Sequence, residues 1–325
     1  MTSLLDISKA ILNSKKIGIT YHVSPDGDAV GSALALLNGL RFIKKDAYLI
    51  SKDIISDNLQ FLPAANEATG KLTTPSEDTS IVVVVDCGNY ERISANLDHF
   101  KGSIINLDHH ISNDKYGELN YVDTEAAATA EVIFELLEVL GLSFQKENDD
   151  IRAMGTCLYT SLVTDTGAFR HSNVTFRTHT IAARLKKIGV NNTSIHQNLF
   201  DNKSFEKIRL IGKALNNMEL LFDKKVALIK LPISYGEDLG IEVGDTSDII
   251  SFGLQIKGVE VAVLIKEIQN GSKISLRSKN DLDVRNIAEK LGGGGHVKAA
   301  GITLKGIKLE EAKDKILEEI EKELL

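Results

Sequence analysis

The 325-residue sequence has only two cysteines, Cys87 and Cys157. Two cannot supply a disulfide framework or a four-thiolate zinc site, and both fall in apolar surroundings, where cysteine acts as a small buried hydrophobe. No window reaches the uninterrupted apolar length of a membrane-spanning helix. The amino-terminal MTSLLDISKAILNSKK is an amphipathic helical pattern without a long apolar core or a small-residue cleavage site, so the expected location is the cytoplasm and no membrane partner is expected. Positive charge is also short: 38 Lys and Arg stand against 45 Asp and Glu, a formal net charge of -7. That balance argues against a broad basic groove for long duplex nucleic acid. Small anionic substrates remain open where bound cations reverse the charge locally. Solenoid-period repeats and low-complexity tracts are absent.

What is present is 43% hydrophobic content on a chain long enough for two domains. The first half alternates strand and helix signals. KIGITYHV (16–23), AYLIS (47–51), TSIVVVVDCG (79–88) and GSIINLDHH (102–110) read as strands, and the unbroken β-branched run fits a strand covered on both faces. Helices are expected at 29–45, 126–141 and 148–165. The class is α/β with a mainly parallel sheet, expected over residues 1–188. Polar, capped helical segments at 189–222 read as a connector. From 223 to 325 short strands return, followed by a helix, a glycine run and a charged amphipathic helix, a second and smaller α/β domain.

The chemistry-bearing residues fall at element ends. His22 closes the first strand, Asp26 and Asp28 lie just after it, Asp86 ends the apolar run, and Asp108, His109 and His110 end the next strand. In open α/β sheets the carboxyl ends of the strands form one rim where ligands bind. Asp165 closes a helix that could reach the same rim. Each residue has a plainer reading, since Asp is an ordinary turn former and helix N-cap. Together, though, crowded carboxylates and imidazoles would repel one another unless cations sat among them. Mixed imidazole and carboxylate donors suit Mn²⁺, Fe²⁺, Zn²⁺ or Co²⁺, and the set is large enough for two ions acting on a phosphoryl group.

The stretches HVSPDGDAVGSALAL, VVVVDCG, NLDHH, LVTDTGAFRHSN and GGGGHVKAAG resemble the DHH phosphoesterases over nearly the whole chain. Within that family, the compact length resembles the oligoribonuclease and pAp phosphatase type. The resemblance implies a DHH catalytic domain and a DHH-associated domain with the active site in the cleft between them. It implies two divalent ions, Mn²⁺ being the expected metal, one held by His22, Asp26 and Asp86, the other by Asp28, Asp86, His109 and Asp165, with Asp86 as the bridge. His110 would point at the scissile phosphate, and Asp108 would orient a histidine.

In the second domain, one glycine suffices to end a helix, so Gly292 is accounted for and Gly293, Gly294 and Gly295 are candidates for holding an anion on backbone N–H groups. Arg277 and His296 are the expected contacts to a terminal phosphate or base. The expected substrates are short single-stranded oligonucleotides such as pApA, together with pAp. The rival enzymatic readings are a cyclic di-AMP or linear dinucleotide phosphodiesterase and an inorganic pyrophosphatase or exopolyphosphatase; a nucleotide-binding module without catalysis is the non-enzymatic one. A homodimer is left open, no stretch of sequence establishing it.

Overall fold

The computed structural model describes residues 2–244 and 246–324, with the side chain of His296 outside the described part. The chain divides after Asn202 into two compact units.

In the first unit α1 (Leu4–Asn13) leads into β1 (Lys16–Thr20), α2 (Gly27–Phe42) and β2 (Asp46–Leu49). Strands β3 (Ile81–Val85), β4 (Ser103–Asp108) and β5 (Leu119–Val122) follow, and α3 (Thr129–Val139), α4 (Asp149–Asp165), α5 (Phe176–Lys187) and α6 (Asn192–Phe200) complete the unit. The strands form one parallel sheet in the order β2-β1-β3-β4-β5. Every residue of β3 is buried, as an unbroken run of β-branched side chains in the middle of such a sheet requires. The chain leaves β1 toward β2 on one side and returns to β3 on the other, which puts the topological switch point between β1 and β3.

Helices α2 and α4 approach closely because α2 is built from small residues. A Cβ at Gly31 would lie 2.6 Å from the Cys157 carbonyl oxygen and 2.9 Å from Ser161 Cβ, and one at Gly27 would overlap the Thr164 side chain. The start of α2, bearing Asp28, is thereby held against the end of α4, bearing Asp165. Cys87 and Cys157 are both buried and unbridged, and burial pushes the Cys87 thiol up to about 11.

The second unit runs α7 (Phe205–Asn216), β6 (Glu219–Leu221), β7 (Val226–Leu231), α8 (Ile233–Glu237), α9 (Ser247–Gln255), β8 (Val261–Ile268) and β9 (Gly271–Ser278). It ends with α10 (Val284–Lys290), β10 (Gly294–His296), β11 (Ala299–Lys305) and α11 (Leu309–Leu324). Its mixed sheet has the order β10-β11-β9-β8-β7-β6, with β7 and β8 parallel and the other pairs antiparallel. One face packs Val263 and Leu276 under Ile287 and Ile316; the other packs Ile229 and Leu264 under Leu210 and Ile249. Within the span read as a connector, α6 buries Ile195 and Leu199 in the first unit's core and α7 buries Leu210 and Ala214 in the second's. Among the described residues no helix is long and apolar enough to cross a membrane.

Candidate active site

Three neighbouring strands deliver the site. His22 follows β1, Asp86 follows β3 and Asp108 ends β4, all at the carboxyl edge of the parallel sheet. Asp86 has φ +53°, a left-handed conformation that Asp tolerates better than most residues and that turns the chain out of the strand. Its two carboxylate oxygens face different groups of donors. Oδ2 lies 3.6 Å from His22 Nε2, which is itself 3.8 Å from Asp26 Oδ2. Oδ1 lies 3.7 Å from His109 Nε2, which is 3.6 Å from Asp28 Oδ2 and 3.7 Å from Asp165 Oδ2. The donor atoms of His22, Asp26 and Asp86 lie within 4.8 Å of one another, as do those of Asp28, His109 and Asp165 and those of Asp86, His109 and His110. Separations near 3.7 Å are too long for hydrogen bonds. They suit donors arranged around a shared cation with bonds of about 2.0–2.2 Å.

The tautomers agree with that use. His22 Nδ1 lies 2.9 Å from the Val23 carbonyl oxygen and His109 Nδ1 3.1 Å from that of Ala126. A carbonyl only accepts, so each Nδ1 carries the proton, and the Nε2 atoms that face the carboxylates are the ligating positions. Asp26 serves two purposes with separate oxygens. Oδ1 accepts from the N–H groups of Asp28 and Ala29, capping α2, while Oδ2 faces His22. The N-cap reading and the ligand reading of this residue are therefore compatible.

Asp28 is buried and crowded. Its Oδ1 accepts from the Ser32 hydroxyl at 3.0 Å, the Ala130 N–H at 3.3 Å and the Ser161 hydroxyl, and its Oδ2 from the Thr129 N–H at 2.8 Å. Burial, reinforced by the charges of Asp86 and Asp165, still holds its carboxyl well above the usual carboxylate range. Burial with the nearby charges of Asp86 and Asp26 pushes Asp165 up to about 7, against the pull of His109. For His22 and His109 burial works against the charged imidazole. The surrounding carboxylates outweigh it and raise them to about 10 and about 9. These shifts share one cause, carboxylates and imidazoles packed together away from solvent.

Asp108 is fully buried and belongs to neither of the two sets that share Asp86 with His22 or surround His109. Oδ1 accepts from His110 Nδ1 at 2.7 Å and from the His109 N–H at 2.8 Å, and Oδ2 from Asn113 Nδ2 at 2.5 Å. Burial opposes its charge, but these bonds outweigh it and keep the carboxyl below its ordinary range. The histidine that Asp108 orients is therefore His110.

In the second unit Arg277 lies on β9 with Lys273 and Ser275 on the same face, two residues apart. With Thr246, Ser247 and Lys266 they line a cavity of about 190 Å³. Lysines 266 and 273 were not singled out in the sequence, although the period-2 pattern of β9 exposes the second of them. The glycine run divides. A Cβ at Gly293 would lie 2.3 Å from the Gly301 carbonyl oxygen, and Gly295 has φ +147° with a Cβ position 2.5 Å from the Ala299 oxygen. Backbone geometry therefore accounts for these two, leaving Gly294, whose Cβ would meet nothing. Gly295→Ala is expected to destabilise the protein by about 1–3 kcal/mol, whereas Gly294→Ala should leave the melting temperature unchanged. If a backbone–anion contact needs Gly294, that variant alone raises KM at constant stability; denaturation midpoints and kinetics separate the two. Of His296, only the backbone is described, pairing with Ala299.

A parallel sheet that gathers histidines and aspartates at its switch point, on a chain with a second mixed-sheet unit, has the layout of a metal-dependent phosphoesterase. Residues 16–162 match the DHH family, N-terminal domain, and residues 223–324 the DHHA1 domain; the chain belongs to the DHH family. It is 33% identical over 325 residues to the bifunctional oligoribonuclease and PAP phosphatase NrnA of Thermus thermophilus, covering 100% of this chain and 94% of that protein. Among solved structures, an exopolyphosphatase-related protein from Bacteroides fragilis matches with TM-score 0.89 and 28% identity over 98% of this chain and 96% of that one. RecJ of Thermus thermophilus in complex with Mn²⁺ shares the fold with TM-score 0.57 at 15% identity, over 98% of this chain and 55% of that one.

Proposed function

We propose that this protein hydrolyses short oligoribonucleotides such as pApA to mononucleotides and pAp to AMP, using two divalent cations, Mn²⁺ being the expected pair. The observation that carries the reading is Asp86, with one carboxylate oxygen facing each donor set. His22, Asp26 and Asp86 would hold one cation, and Asp28, Asp86, His109 and Asp165 the other. Cations held there would lower the pKa of a water toward neutrality and offset charge on the phosphoryl oxygens. The full-length likeness to NrnA and the manganese complex of RecJ support substrate class and metal.

The chain's own part lies with His110. Asp108 fixes a proton on its Nδ1, and although burial works against the imidazolium, Asp108 and Asp86 raise its pKa. An imidazolium so oriented would offer Nε2–H to a phosphoryl oxygen, where charge develops as water adds to phosphorus and the P–O bond to the 3′-oxygen of the leaving nucleotide breaks. Arg277, Gly294, Gly295 and His296 would bind the substrate's phosphate or base, whereas the Gly293 N–H already donates to the Ala288 carbonyl oxygen at 2.8 Å and is not free for an anion. Three cationic side chains and three hydroxyl residues around the cavity at Arg277 support an anionic ligand there.

Incubation with Mn²⁺ and, separately, pApA, pAp, cyclic di-AMP and pyrophosphate tests the reading. AMP is expected from pApA and pAp and not from an Asp86→Ala control; phosphate from pyrophosphate alone would overturn it. Cation binding must also displace protons, because His22 and His109, held up to about 10 and 9, are protonated at neutral pH. Calorimetric titration with Mn²⁺ in buffers of different ionisation enthalpy should show net proton release, to which Asp28 and Asp165 contribute beside the two histidines. Apparent affinity should rise with pH, since protons compete for the same atoms; pH-independent binding would contradict this.

A further inference from the structure

Thr129 belongs to neither donor set, yet it touches carboxylates of both. It is fully buried in the first turn of α3. Its hydroxyl donates to Asp86 Oδ1 at 2.9 Å, the carboxylate being able only to accept. Its N–H donates to Asp28 Oδ2 at 2.8 Å. Ala128, at the N-cap, makes no side-chain cap, so the unpaired N–H groups that begin any helix are met here by Asp28.

The start of α3 is itself anchored. The Asp123 N–H donates to the Asp108 carbonyl oxygen at 3.0 Å, and Asn173 Nδ2 donates to the Ala127 oxygen at 2.9 Å. Buried Glu131 accepts from the Thr178 hydroxyl at 2.6 Å and lies 3.0 Å from Arg177 Nε. A carboxylate rotates over a broad, roughly two-fold well about its last torsion. A fixed donor on one oxygen selects the rotation.

We propose that Thr129 is the positioning residue of the site: its hydroxyl sets the rotation of the Asp86 carboxylate so that one oxygen faces each donor set, while its amide holds Asp28. This rests on the reading of those sets as metal ligands. The test is Mn²⁺ binding, followed by calorimetry and by the electron paramagnetic resonance of free Mn²⁺, for the wild type, Thr129→Val and Thr129→Ser. Valine keeps the shape and the backbone N–H but removes the hydroxyl. It should weaken Mn²⁺ binding about 10-fold or more, the usual cost of losing a group that orients a ligand. Serine should return it to within about 3-fold of wild type. A residue that merely packs would lower the melting temperature and leave Mn²⁺ affinity alone. Should the valine variant not fold, Thr129→Ala against Thr129→Ser gives the same comparison, differing only in the hydroxyl. Equal affinity of the hydroxyl-bearing and hydroxyl-lacking variants overturns the inference while the donor sets stand. A wild type that binds no Mn²⁺ overturns the donor sets and the inference together.

Discussion

Asp86→Asn is expected to lower the turnover of pApA by at least about 10³-fold, about 4 kcal/mol of transition-state stabilisation, without unfolding the protein. Asparagine matches the size of aspartate but offers one neutral oxygen and an NH₂ group that cannot ligate. Whichever way the amide turns, one donor set receives the NH₂ group, because the two oxygens of Asp86 face His22 on one side and His109 on the other. Stability should change little. The charge of Asp86 adds to the burial that raises Asp28 and Asp165, but it also attracts the imidazoles of His22, His109 and His110. Removing it relieves repulsion and loses attraction together, so the metal-free variant should melt close to the metal-free wild type. A variant that is inactive and melts well below wild type would point to collapse of the site instead, and one with near-normal turnover would remove Asp86 from the mechanism.

Removal of divalent cations should have an effect of similar size. Chelated protein is expected to lose activity toward pApA and pAp, and Mn²⁺ should restore it. The same ions should stabilise the fold, because they bind the assembled site and not the dispersed ligands of the unfolded chain. At free Mn²⁺ about 1,000 times the dissociation constant, one site contributes about 4.1 kcal/mol. For a unit of about 200 residues that corresponds to a rise of about 8–16 °C in melting temperature. Activity that survives chelation, with a melting temperature indifferent to Mn²⁺, would contradict the account.

Much of the site's geometry was legible because a parallel sheet aligns the carboxyl ends of its strands. Acidic and histidine residues at those ends, His22, Asp86 and Asp108, needed only the α/β pattern to be placed side by side. Asp26 and Asp28 follow from being the loop and first turn after β1, and the structure assigns them to different groups of donors. Thr129, Ser161 and Asn113 were not legible. Small polar residues are ordinary in helices and loops, and Asp28 meets Thr129 and Ser161 across 101 and 133 residues of chain, where no spacing rule operates. One faint signal existed: AAATAEV begins a helix without a capping side chain at Ala128, which leaves N–H groups for an outside carboxylate.

In the fold, β5 escaped notice because its four residues are all half-buried, giving neither alternation nor an apolar run. The glycine run illustrates the opposite difficulty. Sequence could account for Gly292 alone, whereas the close approach of Gly293 to β11 and the positive φ of Gly295 exist only once the strands are paired.

The central claim, that one carboxylate stands between two cations, is tested most directly by anomalous diffraction at the manganese edge from crystals of the protein grown with Mn²⁺. The account predicts two peaks, one bonded by His22, Asp26 and Asp86 and the other by Asp28, Asp86, His109 and Asp165. A single peak, or two that do not share Asp86, would contradict it.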